Sequence, residues 1–198
     1  MGLLASEGGG VSNYLVYKHN DKNFWLGKDQ IVEFTHIILD TETIKTGWGI
    51  YIDGNYDYVW DDRPGVRTPR PAEIKGEKWK PCFSVWCWLE GWDQPVIWQS
   101  FTAGNAKAFD IAVDCYMPTE TTDEAKNKLP CLKSIKDEKG FLLAEYLDDR
   151  KLWSWPTFEF AKWVDRPEGF ILPEWASDDY PGVDPVEKKE ITNDDIPF

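Results

Sequence analysis

The sequence predicts a mainly β protein with a single helix. Short segments in which apolar and polar residues alternate lie on both sides of one segment with helical periodicity. A segment rich in Pro and Gly interrupts the first group of strands, and residues 174–198 are polar and acidic. These features indicate one β-rich domain over residues 14–173, with a flexible leader over 1–13 and a disordered acidic tail over 174–198.

Four strands are predicted before the helix. The first covers residues 31–39, where an alternating half is followed by a continuously apolar half. The second covers residues 47–52, and Asp53, Gly54 and Asn55 behind it favour a tight turn. The third and fourth, over residues 82–89 and 95–101, are joined by a short connection that predicts a hairpin.

The helix is predicted over residues 102–117. Thr102 suits the N-cap, Pro118 ends the helix, and one face carries an apolar series at three- and four-residue spacing. That series is Phe109, Ala112, Val113 and Tyr116. Two further strands are predicted over 129–135 and 156–164. Strands, one central helix and closing strands follow the order of the five-stranded OB-fold barrel, here with an extended loop between strands.

Charge and aromatic residues are unevenly distributed. The net charge is −13, but residues 174–198 hold eight acidic and only two basic side chains. Residues 63–80 hold six basic and two acidic side chains, so an otherwise acidic chain contains one basic loop. The twelve Trp residues exceed what a small core readily hides, since each buried indole N–H needs a partner. Several Trp rings are therefore expected at a surface that binds something flat.

Aromatic residues flank the basic loop on both sides. Trp48, Tyr51, Tyr56, Tyr58 and Trp60 precede it, and Trp79, Trp86, Trp88 and Trp92 follow it. Unpaired bases stack on aromatic faces while Lys and Arg contact the phosphates, so this mixture favours single-stranded nucleic acid of any sequence. The predicted DNA contacts are Trp48, Tyr56, Tyr58, Trp60, Arg63, Arg67, Arg70, Lys75, Lys78, Trp79, Lys80, Trp86 and Trp88.

Strand alternation refines this prediction for residues 82–88. Phe83, Val85 and Cys87 form the better core face, which leaves Trp86 and Trp88 on the opposite face as stacking platforms. A further cluster, Trp153, Trp155 and Trp163, is predicted to be core or a contact between copies in a homo-oligomer. Within it, Trp163 is out of phase with Phe158 and Phe160 and is expected to face the other side of its strand.

Residues 194–198, Asp-Asp-Ile-Pro-Phe, have the chemistry of a docking peptide. Pro197 restricts the chain and reduces the entropy lost on binding. Phe198 would offer a ring for an apolar pocket and a carboxylate for an Arg or Lys of a partner. Asp194 and Asp195 would steer the peptide toward a basic rim. The alternative is an ordinary solubilising tail, which does not require Ile196, Pro197 and Phe198.

These five residues resemble the acidic tip of bacterial single-stranded DNA-binding proteins. The resemblance implies docking onto bacterial replication and repair enzymes, such as exonucleases, helicases and clamp-loader subunits. The body is more similar to OB-type single-stranded DNA-binding proteins of bacteriophages, at residues 129–132 (Leu-Pro-Cys-Leu) and 158–164 (Phe-Glu-Phe-Ala-Lys-Trp-Val). These resemblances imply a location in the bacterial cytoplasm, including that of a phage-infected cell.

Two other functions compete with DNA binding. A carbohydrate-binding β-sandwich would explain the Trp content and the acidity, but neither the basic loop nor the tip. An adaptor would use the tip alone to capture host enzymes.

An enzyme is not expected, because no phosphate-binding loop, nucleophile motif or suitably placed His occurs. The four Cys and two His lack metal-ligand spacing, so neither a metal nor another cofactor is expected. No membrane segment is predicted from the sequence.

Overall fold

The computed structural model describes residues 13–18, 20–27, 30–136, 144–148 and 151–173, of which 144–148 and 151–154 by their backbone alone. These residues form twelve strands and one α-helix, so the prediction of a mainly β protein with a single helix is confirmed. The strands are β1 (Tyr14–Lys18), β2 (Asn23–Leu26), β3 (Gln30–Val32), β4 (His36–Leu39), β5 (Lys45–Ile52), β6 (Asn55–Trp60), β7 (Lys80–Leu89), β8 (Val96–Ser100), β9 (Leu129–Ile135), β10 (Ala144–Asp148), β11 (Lys151–Ser154) and β12 (Thr157–Val164). The helix is α1 (Ala103–Tyr116).

Within the described residues, ten strands form one curled sheet, while β10 and β11 pair only with each other. The order along the large sheet is β12-β9-β4-β7-β8-β1-β2-β3. β5 lies beside β7 on the same edge as β4, since both strands pair with β7 at different heights. β6 lies beside β5. The strands β4, β7 and β8 lie side by side, and β9 returns after the helix to lie beside β4, which makes a Greek key.

The inner face of the curl holds the main hydrophobic core. Alternation along β7 points Phe83, Val85 and Cys87 to this face, and all three are buried as the sequence predicted. α1 packs against the same face through Phe109 and Ala112, among others. The rings of Phe83 and Phe109 are parallel, with centroids 4.3 Å apart. The helix therefore fills the inside of the curl.

The outer face is the opposite surface of the same strands. Residues paired directly across two strands point to the same side, so the register carries the alternation from strand to strand. Ser84 of β7 pairs with Lys45 of β5 and with Gln99 of β8, which places all three on the outer face. One part of this face is covered by residues 165–173, which we name the closing segment. The outer face thus stays available to a ligand wherever the closing segment does not reach.

Asn105 makes four hydrogen bonds, and three of them join the helix to the strands. Its buried side chain accepts from the Tyr17 backbone N–H and from the Trp98 indole N–H, both at 3.2 Å. It donates to the Tyr17 carbonyl at 3.0 Å and to the Thr102 hydroxyl at 2.8 Å. The parallel pairing of β1 with β8 covers Tyr14 and Leu15 only. At Tyr17 the Asn105 amide therefore takes the place of a neighbouring strand.

Most predicted elements match the structure, and two predictions are wrong. Residues 31–39 form two strands, because a break at 33–35 moves the buried positions from Val32 and Phe34 to Ile37 and Leu39. The prediction for Trp163 is wrong because β12 has a bulge between Phe160 and Lys162. The extra residue shifts the alternation by one, so Trp163 packs against the main core beside Phe160.

The structure also contains strands that the sequence did not predict. β1 and β2 form a hairpin beside β8, and β6 pairs with β5. Trp155 is buried in the main core. This agrees with the prediction that the cluster of Trp153, Trp155 and Trp163 is either core or a contact between copies. The side chain of Trp153 lies outside the described residues.

Replacing Asn105 with Ala is expected to lower the free energy of unfolding by at least about 3 kcal/mol. The change leaves the Tyr17 N–H, the Tyr17 carbonyl and the Trp98 indole N–H without their partner, at about 1–3 kcal/mol each. Urea unfolding followed by circular dichroism measures the loss. Asn20→Ala, at an exposed position of the β1–β2 turn, is the control. Equal stability of the two variants would show that Asn105 is not the joint between α1 and β1.

Candidate nucleic-acid interface

The β5–β6 hairpin presents a row of aromatic side chains on the outer face. Its turn is made by Asp53 and Gly54, both with positive φ, as the turn residues in the sequence predicted. In register, Tyr51 pairs with Tyr56, Gly49 with Tyr58 and Gly47 with Trp60. Because directly paired residues share a face, the three aromatic residues of β6 lie on the same side as Tyr51 and the two glycines.

Phe101, which follows β8, completes this group. Its ring centroid lies 5.6 Å from that of Tyr56 and 6.4 Å from that of Tyr58. The rings of Tyr51 and Tyr56 are 4.7 Å apart, and those of Tyr58 and Trp60 are parallel at 5.2 Å. We name this group the aromatic strip; it consists of Tyr51, Tyr56, Tyr58, Trp60 and Phe101.

Gly49 is required for the strip to form. A Cβ atom at this position would lie 2.9 Å from the Cβ of Phe101, a distance that side chains do not tolerate. The absence of a side chain lets Phe101 pack over β5 and reach the tyrosines of β6. The alternation of Gly47 and Gly49 with buried Trp48 and Ile50 is the sequence signal of this packing.

The strip is accessible to a ligand. Tyr51 and Tyr56 are each about half exposed, at 49% and 48%, while Tyr58, Trp60 and Phe101 are half-buried. A depression of about 310 Å³ lies where the strip meets the start of β7, and its lining residues are Ile50, Tyr51, Tyr56, Phe101, Glu77, Lys78 and Lys80. Exposed ring faces next to a lysine are the arrangement that stacks bases and contacts phosphates.

Two lysines of the predicted site lie beside the strip, and a third is engaged elsewhere. Lys80 pairs with Gly49 and is exposed on the outer face. Lys78 contacts Glu73 at 3.5 Å, and Lys75 pairs with Asp53 at 2.5 Å, both with exposed side chains. Exposed pairs of this kind are weak in water, so Lys78 can exchange its carboxylate for a phosphate at little cost.

The 61–79 loop packs on the other side of the hairpin. Trp48 and Trp79 are buried there with Ile50. The Trp48 indole donates to the Thr68 carbonyl at 2.7 Å, and the Trp79 indole donates to the Ala72 carbonyl at 2.9 Å. The prediction that these two rings are stacking platforms is therefore wrong, because the loop covers both of them.

The arginines of this loop lie on the same side as Trp48. The guanidinium carbons of Arg67 and Arg70 are 5.5 and 4.8 Å from the centroid of the Trp48 ring. Arg63 is exposed at the start of the loop. The structure thus brings Tyr56, Tyr58, Trp60, Lys78 and Lys80 together, but it places Arg67 and Arg70 across the hairpin from them.

Trp86 and Trp88 lie on the outer face, opposite Phe83 and Val85, as the alternation predicted. The closing segment covers them. Phe170 packs between them and is 2% exposed, and Trp86 is 6% exposed. The prediction that Trp86 is a platform is wrong in this structure, since its ring offers no face to a base. Trp88 keeps partial exposure but contacts Phe170 and Gly169.

An ion pair between buried Asp40 and exposed Arg166 holds the closing segment in place. The Asp40 carboxylate is 1% exposed and accepts from the Arg166 guanidinium at 2.7 Å. Arg166 also lies over the Phe170 ring, 5.0 Å from its centroid. The hydrogen bond to Asp40 raises the pKa of Arg166, so the guanidinium stays charged. This contact sets one boundary of the accessible outer face.

Asp61 anchors the start of the 61–79 loop. Its carboxylate accepts from the Thr46 hydroxyl and from the Thr68 backbone N–H, both at 2.7 Å. Burial alone would raise the pKa of Asp61, but these hydrogen bonds and the nearby Arg67 hold it below its usual value. The loop is therefore held on β5 at both of its ends, by the hydrogen bond of Asp61 to Thr46 and by the packing of Trp79 with Trp48 and Ile50.

Phe101 and Lys45 are site residues that the sequence reasoning missed, and Tyr51 was noted only as part of the aromatic cluster. Alternation across a predicted hairpin would have placed Tyr51 opposite Tyr56. No local signal pointed to Phe101, because its position depends on how β8 packs beside β5 and β7. The predicted tip residues Asp194, Asp195, Ile196, Pro197 and Phe198 lie outside the described residues.

No family model, curated protein or solved structure matches the chain. Among the described residues, no group of His, Cys, Asp and Glu side chains is placed to hold a metal ion. In the same part of the chain, no helix combines the length and the apolar character that crossing a bilayer requires. The aromatic strip and the lysines beside it are therefore the features that bear on function.

Asp61→Asn is expected to lower the free energy of unfolding by about 1–2 kcal/mol, because the amide cannot accept from both Thr46 and Thr68 as the carboxylate does. Since folding lowers the pKa of Asp61, its contribution is complete above about pH 4 and is lost as the pH falls further. Urea unfolding at pH 7 and trypsin cleavage within the loop measure the effect.

Asp62→Asn, at the exposed neighbouring position, is the matched control for charge. It should leave both stability and cleavage unchanged. If Asp61→Asn behaved like Asp62→Asn, the hydrogen bonds of Asp61 would not hold the loop.

Proposed function

We propose that the protein binds single-stranded DNA without sequence preference and that the aromatic strip is the centre of the binding surface. The observation that carries the proposal is the group of five aromatic side chains, partly exposed, on one face beside lysines. Each stacked base contributes about 1–3 kcal/mol, and every base has a face that can stack. The surface therefore accepts single strands of any sequence.

The local charge favours a polyanion over a neutral sugar. On the outer face, the strands next to the strip carry Lys45 and Lys80, with Ser84 and Gln99 as their polar neighbours. The register places no Asp or Glu at the outer-face positions of β5, β6 and β8, although the whole chain has a net charge of −13. The paired strand positions beside the strip therefore carry no negative charge, and Glu77, in the loop before β7, is an acidic side chain that lines the depression next to Lys78 and Lys80.

The strand order supports an OB-type fold for the domain. The Greek key of β4, β7, β8 and β9, with β12 as a fifth strand, has its helix between β8 and β9. OB folds bind oligonucleotides on the face of their second and third strands and on the loop between the first and second. Under this assignment those parts are β7, β8 and the chain between β4 and β7, which includes the β5–β6 hairpin. The aromatic strip lies there.

The resemblance of residues 194–198 to the acidic tip of bacterial single-stranded DNA-binding proteins extends the proposal to protein partners. A bound strand and a docked enzyme on one chain would bring replication and repair enzymes to single-stranded DNA. The two activities use different residues, so each can be removed without the other.

Tyr56→Leu is expected to weaken binding of oligo-dT by about 1–3 kcal/mol, because leucine keeps apolar bulk but loses the stacking face. Tyr56→Phe keeps the ring and should bind within about twofold of the wild type. Fluorescence anisotropy with labelled oligo-dT measures the affinity, and duplex DNA and a neutral polysaccharide serve as competitors. Duplex DNA competing as well as oligo-dT would refute stacking of unpaired bases, and competition by the polysaccharide would favour the carbohydrate-binding alternative.

Deleting Phe198 should abolish capture of bacterial DNA-processing enzymes while oligo-dT affinity stays unchanged. The deletion removes one ring and leaves the side-chain charge of the tail intact. Affinity capture from a bacterial lysate, followed by mass spectrometry, gives the bound enzymes. Val186→Ala, an apolar truncation in the same tail, is the control. Identical sets of exonucleases, helicases and clamp-loader subunits with and without Phe198 would be incompatible with recruitment through the tip.

A further inference from the structure

The β1–β2 hairpin extends the outer face beyond β8. β1 pairs with β8 in parallel, with Tyr14 beside Ile97, so Tyr14, Val16 and Lys18 share the outer face with Ile97 and Gln99. β2 continues the surface, because Val16 pairs with Trp25. This hairpin is an addition to the four strands of the Greek key and to β12.

Trp25 and Lys18 form a small aromatic and cationic group on this hairpin. The Lys18 ammonium lies 3.7 Å from the centroid of the Trp25 ring. Trp25 is half-buried, and its neighbour on β3, Ile31, is 49% exposed. If Lys18 moves from the ring to a phosphate, it leaves that face of Trp25 to a base, so the two residues can supply one stacking group and one phosphate contact. The same two components make up the aromatic strip and its lysines.

The strand positions on the outer face between this group and the aromatic strip carry one sign of charge. Its outer-face positions on β1, β8, β7 and β5 include Lys18, Lys80 and Lys45. The other polar positions are Gln99 and Ser84. Among the described strand positions that the register assigns to the outer face between Trp25 and Trp60, none is Asp or Glu. At these positions a polyanion that leaves the strip toward β1 passes lysines and neutral groups.

The distance between the two groups fits an oligonucleotide. From β2 to β6 the sheet has five strand spacings, through β1, β8, β7 and β5. At about 4.8 Å for each spacing this is roughly 24 Å. At a rise of about 3.4 Å per stacked nucleotide, about seven nucleotides span that distance. This number lies within the 4–16 nucleotides that one OB fold covers.

We propose that Trp25 and Lys18 are a second contact region for single-stranded DNA, which extends the path from the aromatic strip across β7, β8 and β1. The proposal rests on the proposed function, since it assigns a further part of the same ligand to a further part of the same face. A short oligonucleotide that occupies the strip cannot reach Trp25. A longer one contacts both groups.

The test compares dT4 with dT12 on the full chain by fluorescence anisotropy. For dT12, Trp25→Ala should weaken binding about 5- to 100-fold, and Trp25→Phe should restore most of the loss. Lys18→Gln should weaken dT12 binding and reduce the slope of log affinity against log salt by about 0.7. For dT4, all three variants should bind within about twofold of the wild type, which also shows that each variant is folded.

Lys107→Gln is the matched control, because it removes the same charge from an exposed position on α1, across the sheet from the outer face. It should change neither oligonucleotide's affinity. Wild-type affinity for dT12 in both Trp25→Ala and Lys18→Gln, with Tyr56→Leu still weakened, would overturn the second contact region and leave the proposed function standing. A wild-type protein that binds neither dT4 nor dT12 would overturn both.

Discussion

The hydrogen bonds of Asn105 are the joint on which the arrangement of the molecule depends. One buried amide holds the first turn of α1 against β1 and the Trp98 indole. The helix fills the inside of the curled sheet, and β1 is fixed at the edge of β8 after only two residues of parallel pairing. The side chains of the β1–β2 hairpin add to this alignment, since Leu15 and Phe24 lie in the main core and the Phe24 ring contacts Trp98. The continuity of the outer face from β6 to β2 therefore depends on one fully satisfied polar group together with the apolar packing around it.

The two faces of the sheet hold different kinds of side chain, because successive residues along each strand point to opposite faces. Inner positions hold the core and the helix, while outer positions of β5, β6 and β8 hold rings, lysines and neutral polar groups. Two segments, the 61–79 loop and the closing segment, cover parts of the sheet and limit the surface that a ligand can reach. The 61–79 loop, tied by Asp61 and Trp79, packs against the inner side of the hairpin. The closing segment, held by Arg166 on Asp40, hides Trp86. The accessible part of the outer face then includes the aromatic strip and the positions that lead from it to Trp25.

Local patterns in the sequence predicted the elements well but the exposure of single side chains poorly. Alternation correctly set Phe83 apart from Trp86, and the helix, the turn at Gly54 and the strand over 129–135 are where they were expected. The burial of Trp86 could not be predicted, because Phe170 lies 84 positions away in the chain, in a segment that Arg166 ties to Asp40. For Trp163, one bulged residue reversed the face, and no turn residue in the sequence marks that bulge. Phe101 joined the site through packing over Gly49, a contact that depends on three strands at once.

The central claim is that single-stranded DNA lies on the outer face, and ultraviolet cross-linking of oligo-dT to the full chain tests it most directly. Mass spectrometry of the cross-linked peptides gives the residues in contact with the bases. We predict adducts on Tyr56, Tyr58, Trp60 and Phe101, with a further adduct on Trp25 when the oligonucleotide is long enough to span the sheet. Adducts confined to α1 or to the 61–79 loop, with none on the aromatic strip, would contradict this account.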